Sequence, residues 1–131
     1  MIDVKIIVKN HMNISIMILL VGELCISSIS CQSSPKVSSG KIKRLESFKS
    51  KYVDVRNVDI WLPENYDENK KYPVIYMHDG QMLFDNSETW NKQEWQVDEV
   101  LSELIAKNEI WECIIVGIWN NSEYRYSEYF P

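Results

Sequence analysis

The sequence predicts an α/β fold, and three observations lead to that prediction. Two continuous apolar runs, Val74–Met77 and Ile114–Ile118, have the composition of strands buried in a parallel sheet. A stretch with the apolar spacing of a helix lies between them. Strand, helix and strand within about 45 residues indicate a βαβ unit, in which two parallel strands are joined by a right-handed crossover.

An antiparallel β-hairpin is expected to lead into this unit. Residues 32–50 are rich in serine at their start and predict a tether followed by the first strand. Residues 52–62 carry apolar side chains in alternation on either side of Arg56 and Asn57, which predicts a strand with a bulge or a hairpin-like pair. Residues 63–69 have the composition of a turn.

The helix between the apolar runs is expected to begin near Asn91. Asn91 is a suitable N-cap, and Glu94 follows three residues later as in a capping box. The acidic residues Asp98, Glu99 and Glu103 are expected to face away from the apolar stripe. That stripe comprises Val97, Val100, Leu101, Leu104 and Ile105.

Composition limits the function classes. The chain has 131 residues, enough for one domain at most, with 45% hydrophobic and 25% charged residues as in a folded protein. The net charge is −5 and no basic stripe alternates with aromatics, so a nucleic-acid partner is not expected. Of the three cysteines, Cys25 lies in the N-terminal 30 residues, and the remaining Cys31 and Cys113 are spaced too widely for a metal site or a disulfide framework. No metal and no cofactor are expected.

Residues 1–30 have the order of a secretory signal peptide. Lys5 and Lys9 precede the apolar run 14–21, and small residues follow it. The run is shorter than the roughly 20 residues that cross a bilayer. Residues 28–31, Ser-Ile-Ser-Cys, resemble a bacterial lipobox, which places a lipid on Cys31. The alternatives are a buried N-terminal element and an ordinary cleavage site beside an incidental cysteine.

These features predict the domain organisation and the location of the protein. Residues 1–30 are expected to be removed, residues 31–40 to form a tether, and residues 41–131 to form the folded domain. The protein is expected to be exported from a bacterial cell, either into the periplasm or onto the outer membrane through a lipid at Cys31.

Polar residues follow both predicted parallel strands at their carboxyl ends. His78, Asp79, Gly80 and Gln81 follow the first, and Trp119 follows the second. Ligands of open α/β sheets gather at this edge. Gly80 is expected to allow a sharp turn, after which backbone N–H groups would form an oxyanion hole.

Five segments resemble the start of the putative-esterase (esterase D-like) family of the α/β-hydrolase superfamily. They are 61–66 (WLPENY), 72–81 (YPVIYMHDGQ), 83–85 (LFD), 90–95 (WNKQEW) and 116–120 (VGIWN). The resemblance covers roughly residues 40–131. It implies that residues 41–131 are the N-terminal part of an α/β-hydrolase domain, which is incomplete in this chain. The family includes sugar-ester and feruloyl esterases, siderophore-ester hydrolases and mycolyltransferases.

The resemblance implies a serine-dependent carboxylic-ester hydrolase or acyltransferase. Its substrate would be a small-molecule or carbohydrate ester, such as an acylated sugar or a siderophore ester. The family assigns one oxyanion-hole N–H to Gln81, or else to Met82. The substrate-loop residues expected at the same edge, from their place after the strands, are His78, Asp79, Gly80 and Trp119. The family also places the strand Val74–Met77 beside the strand that bears the nucleophile, so an open apolar edge is expected there.

The nucleophile and its partners do not occur in these 131 residues. The family carries its serine in a Gly-x-Ser-x-Gly elbow, followed by an acid and a histidine. The glycines here are Gly22, Gly40, Gly80 and Gly117, and no two are four residues apart. Beyond the signal, His78 is the one histidine, and it stands in the oxyanion loop. These 131 residues alone are therefore not expected to hydrolyse esters.

One alternative function and the role of one segment remain open at the level of the sequence. The chain could be a non-catalytic lipoprotein that binds carbohydrate on an aromatic platform, although such residues more often pack as core. The residues of that platform would be Trp90, Trp95, Trp111 and Trp119. Arg125, Glu128 and Tyr129 resemble a family segment after the fourth strand, where substrate contact and loop packing are both open roles.

Overall fold

A mixed four-stranded sheet forms the centre of the part of the chain that the structure, a computed structural model, describes: residues 34–130. The elements in chain order are β1 (Lys41–Phe48), β2 (Arg56–Leu62), β3 (Val74–Met77), α1 (Val97–Ala106), β4 (Ile114–Ile118) and α2 (Arg125–Tyr129). The sheet order is β1-β2-β4-β3, with β3 parallel to β4 and the other pairs antiparallel. The predicted α/β class is confirmed. The predicted signal peptide and Cys31 lie outside the described residues.

The second strand is shorter than the alternation of apolar residues predicted. It begins at Arg56, while Val53 and Val55 lie in the preceding loop and are about half exposed. The register of β1 against β2 shifts between Leu45 and Phe48, so the ladder is already irregular where the loop begins. Alternation therefore did not distinguish the strand from the loop, because only the paired residues have a neighbour to pack against.

Strand β3 is not buried on both faces, as its continuous apolar run had predicted. The exposed fractions of Val74, Ile75 and Tyr76 are 41%, 43% and 65%. Among residues 34–130 this strand pairs only with β4, so it is an edge of the sheet, as the family resemblance had implied. An unpaired apolar edge is a template for a further strand.

Helix α1 begins at Val97 rather than near Asn91, so the predicted capping box is wrong. Gln96 precedes the helix in the left-handed region, with φ 54°, and makes no side-chain cap. The side chain of Asn91 instead accepts the backbone N–H of Gln93 at 3.2 Å, a local turn that competes with helix formation. Within residues 34–130, neither helix has the length and apolarity needed to traverse a bilayer.

The apolar stripe of α1 contacts the core in part. Val97, Leu101 and Ile105 pack against it, whereas Val100 is about half exposed. Asp98, which had been expected to face solvent, is fully buried. Asp98 is buried because residues 36–40 cross the start of the helix and bond to it.

That segment, residues 36–40, is called the strap below. Its backbone and Ser38 side chain are held at five points by partners far away in sequence. The hydrogen bonds are Lys36 N–H to Asp85 (2.7 Å), Ser38 N–H to Asp98 (2.7 Å), Ser38 Oγ–H to Glu99 (2.5 Å), Trp61 Nε1–H to the Ser39 carbonyl (2.8 Å) and Gly40 N–H to Glu64 (3.0 Å). The strap therefore joins the first strand to helix α1 and to the loop after β3.

The buried core lies between the sheet and α1. It comprises Trp61, Leu83, Phe84, Val97, Cys113 and Ile115. Leu83 and Phe84 belong to the loop that follows β3, so two core side chains anchor that loop against the sheet. The same burial raises the pKa of the Cys113 thiol above its ordinary value.

Gly80 is required by close packing rather than by a turn of its own. A Cβ at Gly80 would lie 2.6 Å from the carbonyl carbon and oxygen of Gly117 in β4. The left-handed residue at this turn is Asp79, with φ 55°, which corrects the expectation that Gly80 makes the turn. The loop after β3 therefore passes directly over the end of β4.

Substitution at the two glycines is expected to give unequal losses of stability. Gly80→Ala places a methyl group against backbone and should cost about 3 kcal/mol in the free energy of unfolding, measured by urea denaturation. Gly117→Ala meets the Leu83 Cδ1 atom, which can move, and should cost only about 1 kcal/mol. Equal losses would show that the close approach of the loop to β4 is not what Gly80 provides.

Candidate functional site

The predicted site residues lie together at one edge of the sheet. Strands β3 and β4 are parallel, with Met77 opposite Gly117, so the residues after each strand emerge at the same edge. His78 and Asp79 follow β3, and Trp119 follows β4. The start of β2 lies at this edge as well, because Trp119 N–H donates to the Asn57 carbonyl at 3.1 Å.

Asp79 is the centre of the hydrogen bonding at this edge. Its side chain accepts Nε and Nη2 of Arg125 at 2.9 and 2.6 Å, and Asn120 Nδ2 at 2.7 Å. Tyr129 donates its hydroxyl to the same carboxylate at 3.3 Å. All three donors follow β4, so one buried carboxylate ties the loop after β3 to the segment after β4.

The charge of Asp79 is stabilised by these partners. The hydrogen bond from Arg125 holds the pKa of Asp79 below its ordinary value, against burial, which acts to raise it. Asp79 also adopts the left-handed backbone conformation, which aspartate tolerates better than most residues. The carboxylate contacts are therefore positioned to hold a turn that the backbone alone would disfavour.

The backbone N–H groups of Gln81 and Met82 differ in the way that matters for an oxyanion hole. Met82 N–H donates to the Asp79 carbonyl at 2.8 Å within the 3-10 turn Gly80–Met82. Gln81 N–H has no acceptor among residues 34–130, while the Gln81 side chain accepts Asn120 N–H at 3.2 Å. Of the two predicted donors, Gln81 is therefore the one whose N–H is not already bonded within residues 34–130.

Trp119 is fixed by a buried charge cluster that sequence reasoning missed. Its Nε1–H donates to Asp59 Oδ2 at 2.8 Å, and the Arg44 guanidinium lies 4.7 Å from its ring centroid. Arg44 also forms paired hydrogen bonds with Asp59, at 2.8 and 2.9 Å, and with Glu88, at 3.0 and 2.6 Å. Arg44 and Asp59 stand opposite each other in β1 and β2, a register that only the structure gives.

Helix α2 packs across this edge. Arg125 contacts Asp79, and Glu128 accepts both Nη groups of Arg56 at 2.9 and 2.6 Å. The Tyr129 ring packs edge-on against His78, with centroids 5.1 Å apart. In this structure the contacts of all three α2 residues are loop and strand contacts, which is one of the two roles their sequence left open.

The structure also gives the positions of His78 and of the tryptophans predicted for the site. His78 is exposed, and within residues 34–130 no three His, Cys, Asp or Glu side chains are grouped closely enough to hold a metal ion. Trp111 precedes β4 and Trp119 follows it, so these two lie at opposite ends of a strand and cannot share one aromatic platform. Trp90 and Trp111, expected as core, are 87% and 85% exposed.

Comparison with protein families identifies the chain. The family described as "Putative esterase" matches residues 51–130, which is more than half of the sequence and contains every site residue above except Arg44. The chain belongs to this esterase family, as its sequence segments had indicated. No curated protein matches it.

Among solved structures, the chain is similar to feruloyl esterases. A mutant of the feruloyl esterase module from Clostridium thermocellum complexed with sinapinate is 27% identical, with a TM-score of 0.46 over 64% of this chain and 28% of that one. A ferulic acid esterase from the anaerobic fungus Anaeromyces mucronatus is 29% identical, with a TM-score of 0.45 over 64% and 30%. The chain spans about three tenths of the length of these proteins.

Asp79→Asn is expected to loosen the site edge in a pH-dependent way. At pH 7 the loss of the Arg125 ion pair should lower the thermal midpoint by about 4 °C. Because the pKa of Asp79 is lowered by folding, its contribution is complete above the unfolded value of about 3.9 and is lost as pH falls through the folded value. The difference between wild type and variant should therefore shrink progressively as the pH is lowered below about 3.9.

Glu46→Gln, at an exposed position of β1, is the matched control and should leave the midpoint unchanged. A midpoint difference for Asp79→Asn that persisted undiminished in acid would contradict the charge-based role of this carboxylate.

Proposed function

We propose that this chain is the N-terminal part of a serine-dependent carboxylic-ester hydrolase and supplies half of its oxyanion hole. The single observation that carries the proposal is the backbone N–H of Gln81. It lies just after a parallel strand, at the ligand-binding edge of the sheet, and has no acceptor within the described residues. Membership of residues 51–130 in the esterase family supports the same assignment.

In this proposal Gln81 acts through its backbone. During acyl transfer the carbonyl oxygen of the ester becomes negatively charged, and the Gln81 N–H donates to it. The donor costs no reorganisation, because Asp79 fixes the turn below it and the Gln81 side chain is bonded to Asn120. Met82 is not the donor in this scheme, because its N–H is already bonded to the Asp79 carbonyl.

The serine that attacks the acyl carbon, its histidine and its acid must come from outside these 131 residues. No Gly-x-Ser-x-Gly can be written within them, and His78 is held beside Tyr129 in the oxyanion loop. The 131-residue chain alone therefore does not hydrolyse esters in this proposal. The apolar edge of β3 is where the strand that carries the nucleophile would pair.

The substrate is a small-molecule or carbohydrate ester, such as an acylated sugar or a siderophore ester. The substrate side of the loop edge is formed by His78, Asp79, Gly80 and Trp119. Their geometry supports this assignment, because His78 is exposed and the indole of Trp119 is held in one orientation by Asp59 and Arg44.

Two experiments test the proposal: the first reads the gene, and the second removes the backbone N–H of Gln81. The source DNA read past codon 131 should encode a Gly-x-Ser-x-Gly, then an acid and a histidine in that order. In the full natural protein, replacing the amide of Gln81 by an ester through semisynthesis removes the N–H. This should lower kcat on nitrophenyl or feruloyl esters by about 10²–10³-fold with little change in KM.

Gln81→Ala is the matched control, because it keeps the backbone N–H and should retain kcat within about tenfold. The 131-residue chain is the negative control. Its hydrolysis of these esters in a fluorophosphonate-sensitive reaction would refute the division of the active site, and an unchanged kcat in the ester variant would refute the role of Gln81.

The location of the protein forms a separate part of the proposal. Residues 1–30 are a signal peptide, and Cys31 carries a lipid that anchors the protein to a bacterial membrane, as the lipobox-like residues 28–31 suggest. Cells grown with labelled fatty acid should incorporate label into the wild-type protein, which should partition into detergent. Cys31→Ala should abolish both, whereas Cys113→Ala, which changes a buried thiol, should not. Equal labelling of the Cys31 variant would exclude the anchor.

A further inference from the structure

Two acidic side chains at the start of α1 have oxygens that no other group among residues 34–130 satisfies. Asp98 is fully buried, yet within this part of the chain its Oδ1 has no hydrogen-bond partner, and neither does Oε2 of Glu99. Both side chains accept a hydrogen bond from Ser38, which brings the two carboxyl groups to the same place. Two carboxylates in contact at a buried position would leave both oxygens unpaired and repelling, which is costly.

The other oxygen of each side chain holds the strap. Asp98 Oδ2 accepts Ser38 N–H at 2.7 Å, and Glu99 Oε1 accepts Ser38 Oγ–H at 2.5 Å. Residue 38 is therefore bonded at once to both members of the acidic pair, 60 residues further along the chain.

We propose that Asp98 and Glu99 share one proton, and that this proton fastens the strap, residues 36–40, to the start of α1 at acidic pH and releases it near neutrality. In the fastened state Asp98 Oδ1–H donates to Glu99 Oε2, so both unpaired oxygens are satisfied. When the proton leaves to solvent, two adjacent carboxylates remain at the buried site. Their repulsion separates the pair and removes the fixed geometry that Ser38 requires.

The direction of titration agrees with this geometry. Burial, followed by the hydrogen bond and charge of Glu99, raises the pKa of Asp98 to about 6. Burial acts to raise the pKa of Glu99 too, but the hydrogen bonds from Ser38 and from the helix backbone outweigh it and lower that pKa. Asp98 is therefore the proton donor and Glu99 the charged acceptor.

The charged groups around Asp98 and Glu99 do not determine the protonation of the pair. The ion pairs among residues 34–130 include neither Asp98 nor Glu99. The strap carries one cation, Lys36, and its charge acts on Asp85 in the loop after β3. The other nearby hydrogen bonds, to Asp98 and Glu99 from their own helix N–H groups, favour ionisation and are opposed by burial.

The sign of the pH effect follows from the raised pKa. Folding raises the pKa of Asp98 from about 3.9 to about 6, so its contribution to stability is complete below about pH 4 and is lost as pH rises through 6. At pH 5 most molecules retain the shared proton, and at pH 7.5 few do.

The test is hydrogen-exchange mass spectrometry of the peptide covering residues 34–40, in the full natural chain, with wild type and Asp98→Asn compared at equal pH. Asparagine donates to Glu99 and accepts from Ser38 at every pH, so the variant stays fastened. At pH 7.5 the wild-type strap should exchange about tenfold faster than the variant. At pH 5 the two should agree within about twofold.

Asp85→Ala is the matched control, because it removes the acceptor that holds the other end of the strap, and the lowered pKa of the Asp85 carboxyl keeps it ionised at both pH values. It should loosen the strap equally at pH 5 and pH 7.5. Glu99→Gln provides a second variant that should also remove the pH dependence. A wild-type strap that exchanges like Asp98→Asn at both pH values, or differs from it by the same factor at both, would overturn the proposal.

Discussion

The buried pair of Arg44 and Asp59 is the interaction on which the site edge depends. Both side chains are almost completely shielded from solvent, and they face each other across β1 and β2. A buried ion pair is tolerated only when its remaining hydrogen-bonding groups are also satisfied. Here Glu88 and the Trp119 indole supply those partners, so four distant parts of the chain are drawn to one point.

This network holds the loops of the site in addition to the core contacts of Leu83 and Phe84. Glu88 fixes the loop after β3 against β1, and Trp119 fixes the segment after β4 against β2. Asp79 then joins those two segments to each other through Arg125. Removing one member of such a network leaves an unpaired buried charge, which typically costs about 3–5 kcal/mol. Charge pairs thus fix the site loops to the strands, and apolar contacts form the core between the sheet and α1.

The sequence predicted the strands better than it predicted which residues are buried and what they contact. The apolar runs located β3 and β4 because such runs seldom occur outside strands or helices, and the polar residues that follow the two strands lie at one edge of the sheet as expected. Burial of β3, solvent exposure of Asp98 and the turn at Gly80 were predicted wrongly, because each depends on a neighbour remote in sequence: an absent strand partner, the strap, and β4. Local spacing carries no information about such neighbours.

The choice between Gln81 and Met82 as the oxyanion-hole donor also could not be made from the sequence. The family motif located the loop, but only the 3-10 turn distinguishes an N–H bonded to Asp79 from one without an acceptor. Similarly, the roles of Arg125 and Glu128 could not be chosen from sequence, since their partners Asp79 and Arg56 lie 46 and 72 residues away.

The strap also controls how much of the chain before β1 is held against the folded domain. Bonded from Lys36 to Gly40, these five residues follow the surface of the protein and contribute no reach. Detached and extended, they would add about 17 Å, at roughly 3.4 Å per residue. Fastening or releasing the strap therefore changes the length of loose chain that precedes β1 by about that distance.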